Sequence, residues 1–168
     1  MITIRNSVFE TNSSSSHSIC VKTGKPHTDA EAITEDIKKR LDSDNKWNLS
    51  KERTEYGRAP FTVLTTFTEK VLYYVANQCC WDTTKEEFDE YMEPVANIIK
   101  KYYPQFAGFI VETDCDDYGI GYVDEYIDLT NYLEDFLTND DKFVVCDGDE
   151  YNIYSDMFNF GIIDAVEV

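Results

Sequence analysis

Residues 112–168 hold seventeen acids against a single base, Lys142, a formal charge of −16. The 111 residues before them hold sixteen acids and fourteen bases. A stretch this charged either stays unfolded or holds its carboxylates on the outside of a packed unit. Disordered acidic tails are poor in apolar and aromatic residues. Here the acids alternate with Tyr118, Tyr122, Tyr126, Tyr132, Phe136, Phe143, Tyr151, Tyr154, Phe158 and Phe160. The stretch therefore has to fold, and its apolar side has to be covered.

Its patterning predicts regular structure. Residues 107–113 (AGFIVET) and 142–146 (KFVVC) are short, β-branched apolar runs of strand type. Between them Leu129, Tyr132, Leu133, Phe136 and Leu137 recur at helical spacing and mark one face of a helix. Strand, helix and strand together predict a right-handed parallel crossover. Glu134 and Asp135 then fall in the last turns of that helix, where the macrodipole disfavours each acid by roughly 0.3–1 kcal/mol. Asp140 and Asp141 follow at once. Acids kept where Lys or Arg would be more stable point to a requirement other than stability.

The whole chain of 168 residues is expected to form a single domain with an α/β fold, a mixed central sheet flanked by helices, with α+β as the alternative. Its near-neutral part, 1–111, carries N-terminal strands and three helices; its strongly acidic part, 112–168, is the strand–helix–strand unit. Residues 2–9 read as a strand, then 10–18 as a polar loop, then 19–21 as a further β-like run. Asp29 caps a helix reaching about Leu41, with Ile33, Ile37 and Leu41 inward. Residues 42–60 read as a surface loop containing Trp47. A second helix spans roughly 66–80, with Phe67, Val71, Leu72, Val75 and Cys79 inward. Thr84 and Glu87 form a capping box for a third helix that ends near Tyr103, which Pro94 is expected to kink or split. Residues 158–168 are apolar and suit a final strand.

Several classes are disfavoured. No apolar run approaches the roughly 20 residues that cross a bilayer. The N-terminus lacks a basic region followed by an apolar run, which points to the cytoplasm. Cys20, Cys79, Cys80, Cys115 and Cys146 are odd in number without CxxC spacing, and read as reduced core thiols. With His17 and His27 the only histidines, zinc is not expected, and no cofactor is. The serine run before His17 suits Asx and Ser/Thr turns, an anion cradle, or a Ser–His nucleophile. The last lacks an identifiable third partner.

The string Arg5-Asn-Ser-Val-Phe-Glu-Thr-Asn-Ser-Ser-Ser-Ser-His-Ser18 resembles the opening of an uncharacterised family of bacteriophage and prophage proteins, which begin with a very similar FETNSSSSHS stretch. Gly121-Tyr-Val-Asp124 and Gly148-Asp-Glu-Tyr151 are similar to further segments of that family. Relatives often carry His where this chain has Glu125, so a shared catalytic role does not carry over there. The resemblance implies a phage context and no particular activity. Small, very acidic phage proteins include inhibitors of host defence, some of them DNA mimics, and that analogy bears on function.

Two functions compete. Duplex DNA presents one charge per roughly 1.7 Å of axis on a firm scaffold. Acids held on rigid elements with few bases among them would imitate it and occupy a basic groove of a host nucleic-acid-binding protein, such as a CRISPR effector nuclease. The candidate binding residues are Asp114, Asp116, Asp117, Asp124, Glu125, Glu134, Asp135, Asp140, Asp141, Asp147, Asp149 and Glu150. Such a chain has no catalytic residues and does not itself bind nucleic acid or membranes. The alternative is a Mg²⁺-dependent enzyme acting on nucleotides or nucleic acid. Asp114, Asp116 and Asp117 follow one strand, and Asp147, Asp149 and Glu150 the other. Parallel neighbours would bring both clusters to one carboxyl edge.

Overall fold

A computed structural model describes residues 16–21, 29–52, 54–56, 62–113, 117–123 and 126–147. In chain order these form β1 (Ser16–Val21), α1 (Ala30–Lys38), β2 (Lys46–Asn48), β3 (Thr62–Leu64), α2 (Phe67–Gln78), α3 (Lys85–Tyr102), β4 (Gly108–Ile110), α4 (Leu133–Thr138) and β5 (Lys142–Asp147). Single 3₁₀ turns at Leu49–Lys51 and Thr130–Tyr132 complete the described elements. The chain is a mixed α/β protein. Its described strands form two sheets: an antiparallel one in the order β1–β5–β3, and a parallel pair, β2–β4. The expected strands at 2–9 and 158–168 lie outside the described residues.

Local chemistry sets the helix starts. The Asp29 carboxylate accepts from the N–H groups of Glu31 and Ala32 and caps α1. Thr66 with Glu69, and Thr84 with Glu87, form reciprocal capping boxes at α2 and α3. Asp36 of α1 also accepts from Thr68 N–H at 2.8 Å, tying α1 to the start of α2. Helix α3 runs unbroken from Lys85 to Tyr102 with Pro94 inside it, so the expected split does not occur. Pro94 supplies no N–H to the carbonyl one turn back. Beside that gap, the Tyr74 hydroxyl donates to the Tyr91 carbonyl at 3.2 Å. Burial pushes the Tyr74 phenol up to about 12, which keeps it a donor.

Helix α2 is the centre of the core. Ten of its twelve residues are buried, so it is covered on every side rather than amphipathic. Helices α1, α3 and α4, strands β2 and β5 and the segment after β4 share one hydrophobic cluster with it. Trp47 departs from its expected surface loop: it is 0 % exposed. Asn45, at φ 59°, turns the chain, and Asp42 Oδ1 holds that turn by accepting from Asp44 and Lys46 N–H. The chain then pairs Lys46–Asn48 in parallel with Gly108–Ile110. The indole packs against Phe109 and donates to Glu52 Oε1 at 3.0 Å.

The parallel crossover is also corrected. β4 pairs with β2, and β5 lies between β1 and β3 as an antiparallel strand in the other sheet. The segment β4–α4–β5 therefore links two sheets. Ser16, His17 and Ser18 belong to β1, opposite Asp147, Cys146 and Val145, so the polar loop expected at 10–18 gives way to a strand at its last three residues. Ser13 lies outside the described residues.

Candidate acidic–aromatic face

At its C-terminal end α2 turns sharply into the start of α3. Asp82 takes a left-handed conformation, φ 66°. Thr83 N–H and Oγ1 both bond to the Cys80 carbonyl, at 3.3 and 2.5 Å. This turn leaves Trp81 76 % exposed. A tryptophan so open is unusual in a folded protein.

The acidic segment after β4 packs on this turn and is pinned along its length. Tyr118 N–H donates to the Thr83 carbonyl at 2.7 Å, Gly121 N–H to the Cys79 carbonyl at 3.0 Å, and Tyr122 N–H to the Thr54 carbonyl at 3.0 Å. Tyr56 N–H returns a bond to the Tyr122 carbonyl at 2.9 Å. The buried Asn77 side chain clamps Ile127: its Nδ2 donates to the Ile127 carbonyl at 2.7 Å, and its Oδ1 accepts from Ile127 N–H at 3.0 Å. Close approach demands glycine here. A Cβ on Gly121 would lie 2.3 Å from Ala76 Cα. The segment is thus held by backbone bonds on the surface of the core helix, a firm support for side chains that face solvent.

Trp81 and Tyr122 meet here, and a third exposed aromatic, Tyr126, lies against the last turn of α2. Trp81 and Tyr122 have ring centroids 6.4 Å apart, and Tyr126, 63 % exposed, shares a 3.3 Å hydrogen bond from Gln78 to its hydroxyl. Tyr118 lies against Phe88 of α3 at 5.3 Å, with Lys85 Nζ 5.7 Å from its ring centroid. The exposed acids Asp82 and Asp117 belong to the same region. Asp117 Oδ1 accepts from Gly119 N–H at 2.8 Å.

The start of α3 adds more charge. Residues 85–93 carry Glu86, Glu87, Asp89, Glu90 and Glu93 against Lys85, and acids in a first turn suit the helix dipole. Tyr91 joins the two regions. Burial raises its phenol pKa first, and then the Glu87 and Glu90 carboxylates on its own helix do; Cys79 and Cys80 at the end of α2 lie close by. Helix α3 meets the acidic segment at Tyr118, which packs on Phe88 and lies under Lys85, itself paired with Asp89, so acids of the near-neutral part stand beside the acidic segment. The thiols follow burial. Cys79 and Cys146 are buried, while Cys80 is exposed, departing from its expected core position.

The acids around α4 behave differently from expectation. The helix begins at Leu133, so Glu134 and Asp135 occupy its first turn, where the dipole favours them. The preceding 3₁₀ turn takes up the earlier part of the apolar pattern and leaves Tyr132 41 % exposed. Glu134 pairs with Lys101 at 2.6 Å across an open groove of about 620 Å³ between α3 and residues 130–135. Asp135 pairs with Lys142 and accepts from Asn139 at 3.1 Å. Lys142 first, then Asn139, hold the Asp135 carboxyl below its usual range. These acids are satisfied within the chain, at a helix end that favours them rather than one that disfavours them.

Asp140 is exposed, and Asp141 is partly buried with its N–H bonded to Asn139 Oδ1 at 3.0 Å. Asp140 acts on Lys70, which is 1 % exposed near the start of α2 and donates to the carbonyls of Asn139 at 3.0 Å and Lys142 at 3.1 Å. Burial pushes the Lys70 ammonium down to about 8, against the opposing pull of Asp140 and Asp135.

Asp147 ends β5, while Asp114, Asp116, Asp124, Glu125, Asp149 and Glu150 lie outside the described residues. The two strands that were to bring the carboxylate clusters together stand in different sheets, which removes the shared edge from the Mg²⁺ reading. Among the described residues no group of three or more His, Cys, Asp or Glu side chains converges as a metal site would require. No described helix is long and apolar enough to cross a membrane. No family model, no curated protein and no solved structure matches the chain.

Proposed function

We propose that the chain acts by binding, with the acidic–aromatic face at the end of α2 occupying a basic surface of a host nucleic-acid-processing protein in place of nucleic acid. The observation that carries this reading is Trp81, exposed beside Tyr122 on a backbone pinned to the core helix and bordered by acids from both parts of the chain. Each ingredient has a separate use. Carboxylates at high density attract a basic groove over long range and speed encounter. Charge alone gives more rate than affinity, whereas exposed Trp and Tyr supply the buried anchors that dominate interface energy. A firm scaffold limits the conformational entropy lost on binding.

The resemblance of residues 5–18 to phage proteins extends the proposal to a phage-type inhibitor, with an RNA-guided effector nuclease of the CRISPR type as a fitting partner because its nucleic-acid channel is basic. With a net charge of −18, the protein itself is not expected to bind nucleic acid.

The test uses the immobilised full chain and a variant in which Asp82, Asp117, Glu86 and Glu90 are replaced by Lys. Host proteins are captured at low salt, then challenged with rising salt and with duplex DNA. The reading predicts a nucleic-acid-binding protein retained by the wild type alone and displaced by both challenges. Equal retention by the reversed variant, or retention that DNA does not disturb, would overturn it.

A further inference from the structure

We propose that the face takes an arginine from its partner, the guanidinium laid on the exposed indole of Trp81 with the Asp117 carboxylate beside it. This inference rests on the reading of the face as a site for a basic protein surface. The indole is the strongest π-donor among side chains, and guanidinium is the cation that stacks best on it, being planar and weakly hydrated.

Geometry places a carboxylate beside the Trp81 backbone. Asp117 Oδ1 and Trp81 Cα each lie 2.9 Å from the position a Cβ on Gly119 would take, with the Cys80 carbonyl oxygen 2.6 Å from it. Gly119 is what lets the carboxylate approach the Trp81 backbone so closely. An arginine can lie flat on an aromatic ring and still donate in its own plane to a carboxylate at the edge, whereas a lysine ammonium is a compact point charge without that fork. Tyr122 supports the indole from the pinned segment, and Asp82 follows Trp81 in the chain.

The molecule also contains the intramolecular version of this contact. Lys85 Nζ sits 5.7 Å from the Tyr118 ring centroid and bridges to Asp89. Among the described residues no lysine or arginine covers Trp81 in that way.

The experiment titrates nona-arginine and nona-lysine, probes of equal charge, into the full chain by calorimetry at low salt. It compares the wild type with Trp81→Ala and Asp117→Asn, each checked for an unchanged circular dichroism spectrum. The expected result is tighter binding of the arginine peptide by about threefold to tenfold. Trp81→Ala should bring the two peptides to a common affinity, and Asp117→Asn should reduce the difference. Equal affinities in the wild type, or a difference that survives Trp81→Ala, would overturn the arginine assignment and leave the acidic face standing. Failure of both peptides to bind would overturn the assignment together with the proposed function beneath it.

Discussion

Replacing Lys70 by methionine keeps the volume and removes an ammonium from the core. Two consequences oppose each other. The Asn139 carbonyl keeps its bond from Lys142 N–H at 3.0 Å, but the Lys142 carbonyl loses its Lys70 donor, and an unpaired buried carbonyl costs about 1–3 kcal/mol. Against this, the folded protein no longer holds a charge where burial opposes it. Lys70 titrates near 8 in the fold and near 10.5 in the unfolded chain. Between those values the unfolded chain binds more protons, so wild-type stability from this group rises with pH. The penalty is fully present below pH 8 and is gone above pH 10.5.

At about pH 7 that penalty is ~3 kcal/mol, and the substitution should range from neutral to stabilising by ~2 kcal/mol. At about pH 9.5 most of the penalty has lifted, yet the neutral amine still has N–H groups to donate. The cost of Lys70→Met should therefore grow by ~2 kcal/mol between the two conditions. Urea unfolding of both proteins, followed by circular dichroism, gives the difference, and other titrating groups cancel between them. A cost independent of pH would refute the reasoning, because it would mean that Lys70 is no harder to protonate in the fold than outside it.

Other expectations follow from the pinned segment and the sheets. Gly121→Ala forces a Cβ against Ala76 Cα and should destabilise the fold by ~1–3 kcal/mol, read as a lowered urea midpoint. Asn77→Ala removes both bonds to Ile127; it should cost ~1–3 kcal/mol and raise amide exchange at Ile127 well before global unfolding. With β4 and β5 in different sheets, millimolar Mg²⁺ should raise the melting temperature no more than Na⁺ at equal ionic strength. A saturable rise abolished by Asp147→Asn would revive the metal reading.

What the sequence revealed was what is local. Capping residues at Asp29 and Thr84 and the apolar spacing of α1, α2 and α3 involve neighbours within a few positions, and the structure has them nearly as the pattern predicts; the Thr66–Glu69 box is local too but was not singled out. Trp47 was hidden because its burial depends on a three-residue strand pairing with β4 about sixty residues later, while its immediate neighbours are polar. Strand neighbours were hidden for the same reason: a strand–helix–strand pattern does not say which sheet each strand joins. The α4 acids were misplaced because a 3₁₀ turn and a helix together imitate one longer helix.

At the face itself, Tyr118, Tyr122 and Asp117 were visible as aromatics and acids in one segment, but Trp81 and the acids of α3 were not connected with them. The available signal was a Trp lying between the end of one helical pattern and the Thr84 cap, in a turn with Asp82, where neither helix face could claim it.

The most direct measurement of the central claim, that carboxylates from both parts of the chain surround an exposed Trp81, is collisional quenching of tryptophan fluorescence by caesium and by iodide. Trp47 is 0 % exposed and Trp81 is 76 % exposed, so quenching reports Trp81. Each constant is normalised to that of a neutral tryptophan amide. At low ionic strength the account predicts caesium quenching several-fold stronger than iodide after normalisation. That preference should fade as salt shortens the screening length to about 8 Å, and shrink in Asp82→Asn, Asp117→Asn, Glu86→Gln, Glu90→Gln protein. Equal normalised constants at low salt, or a preference for iodide, would contradict it.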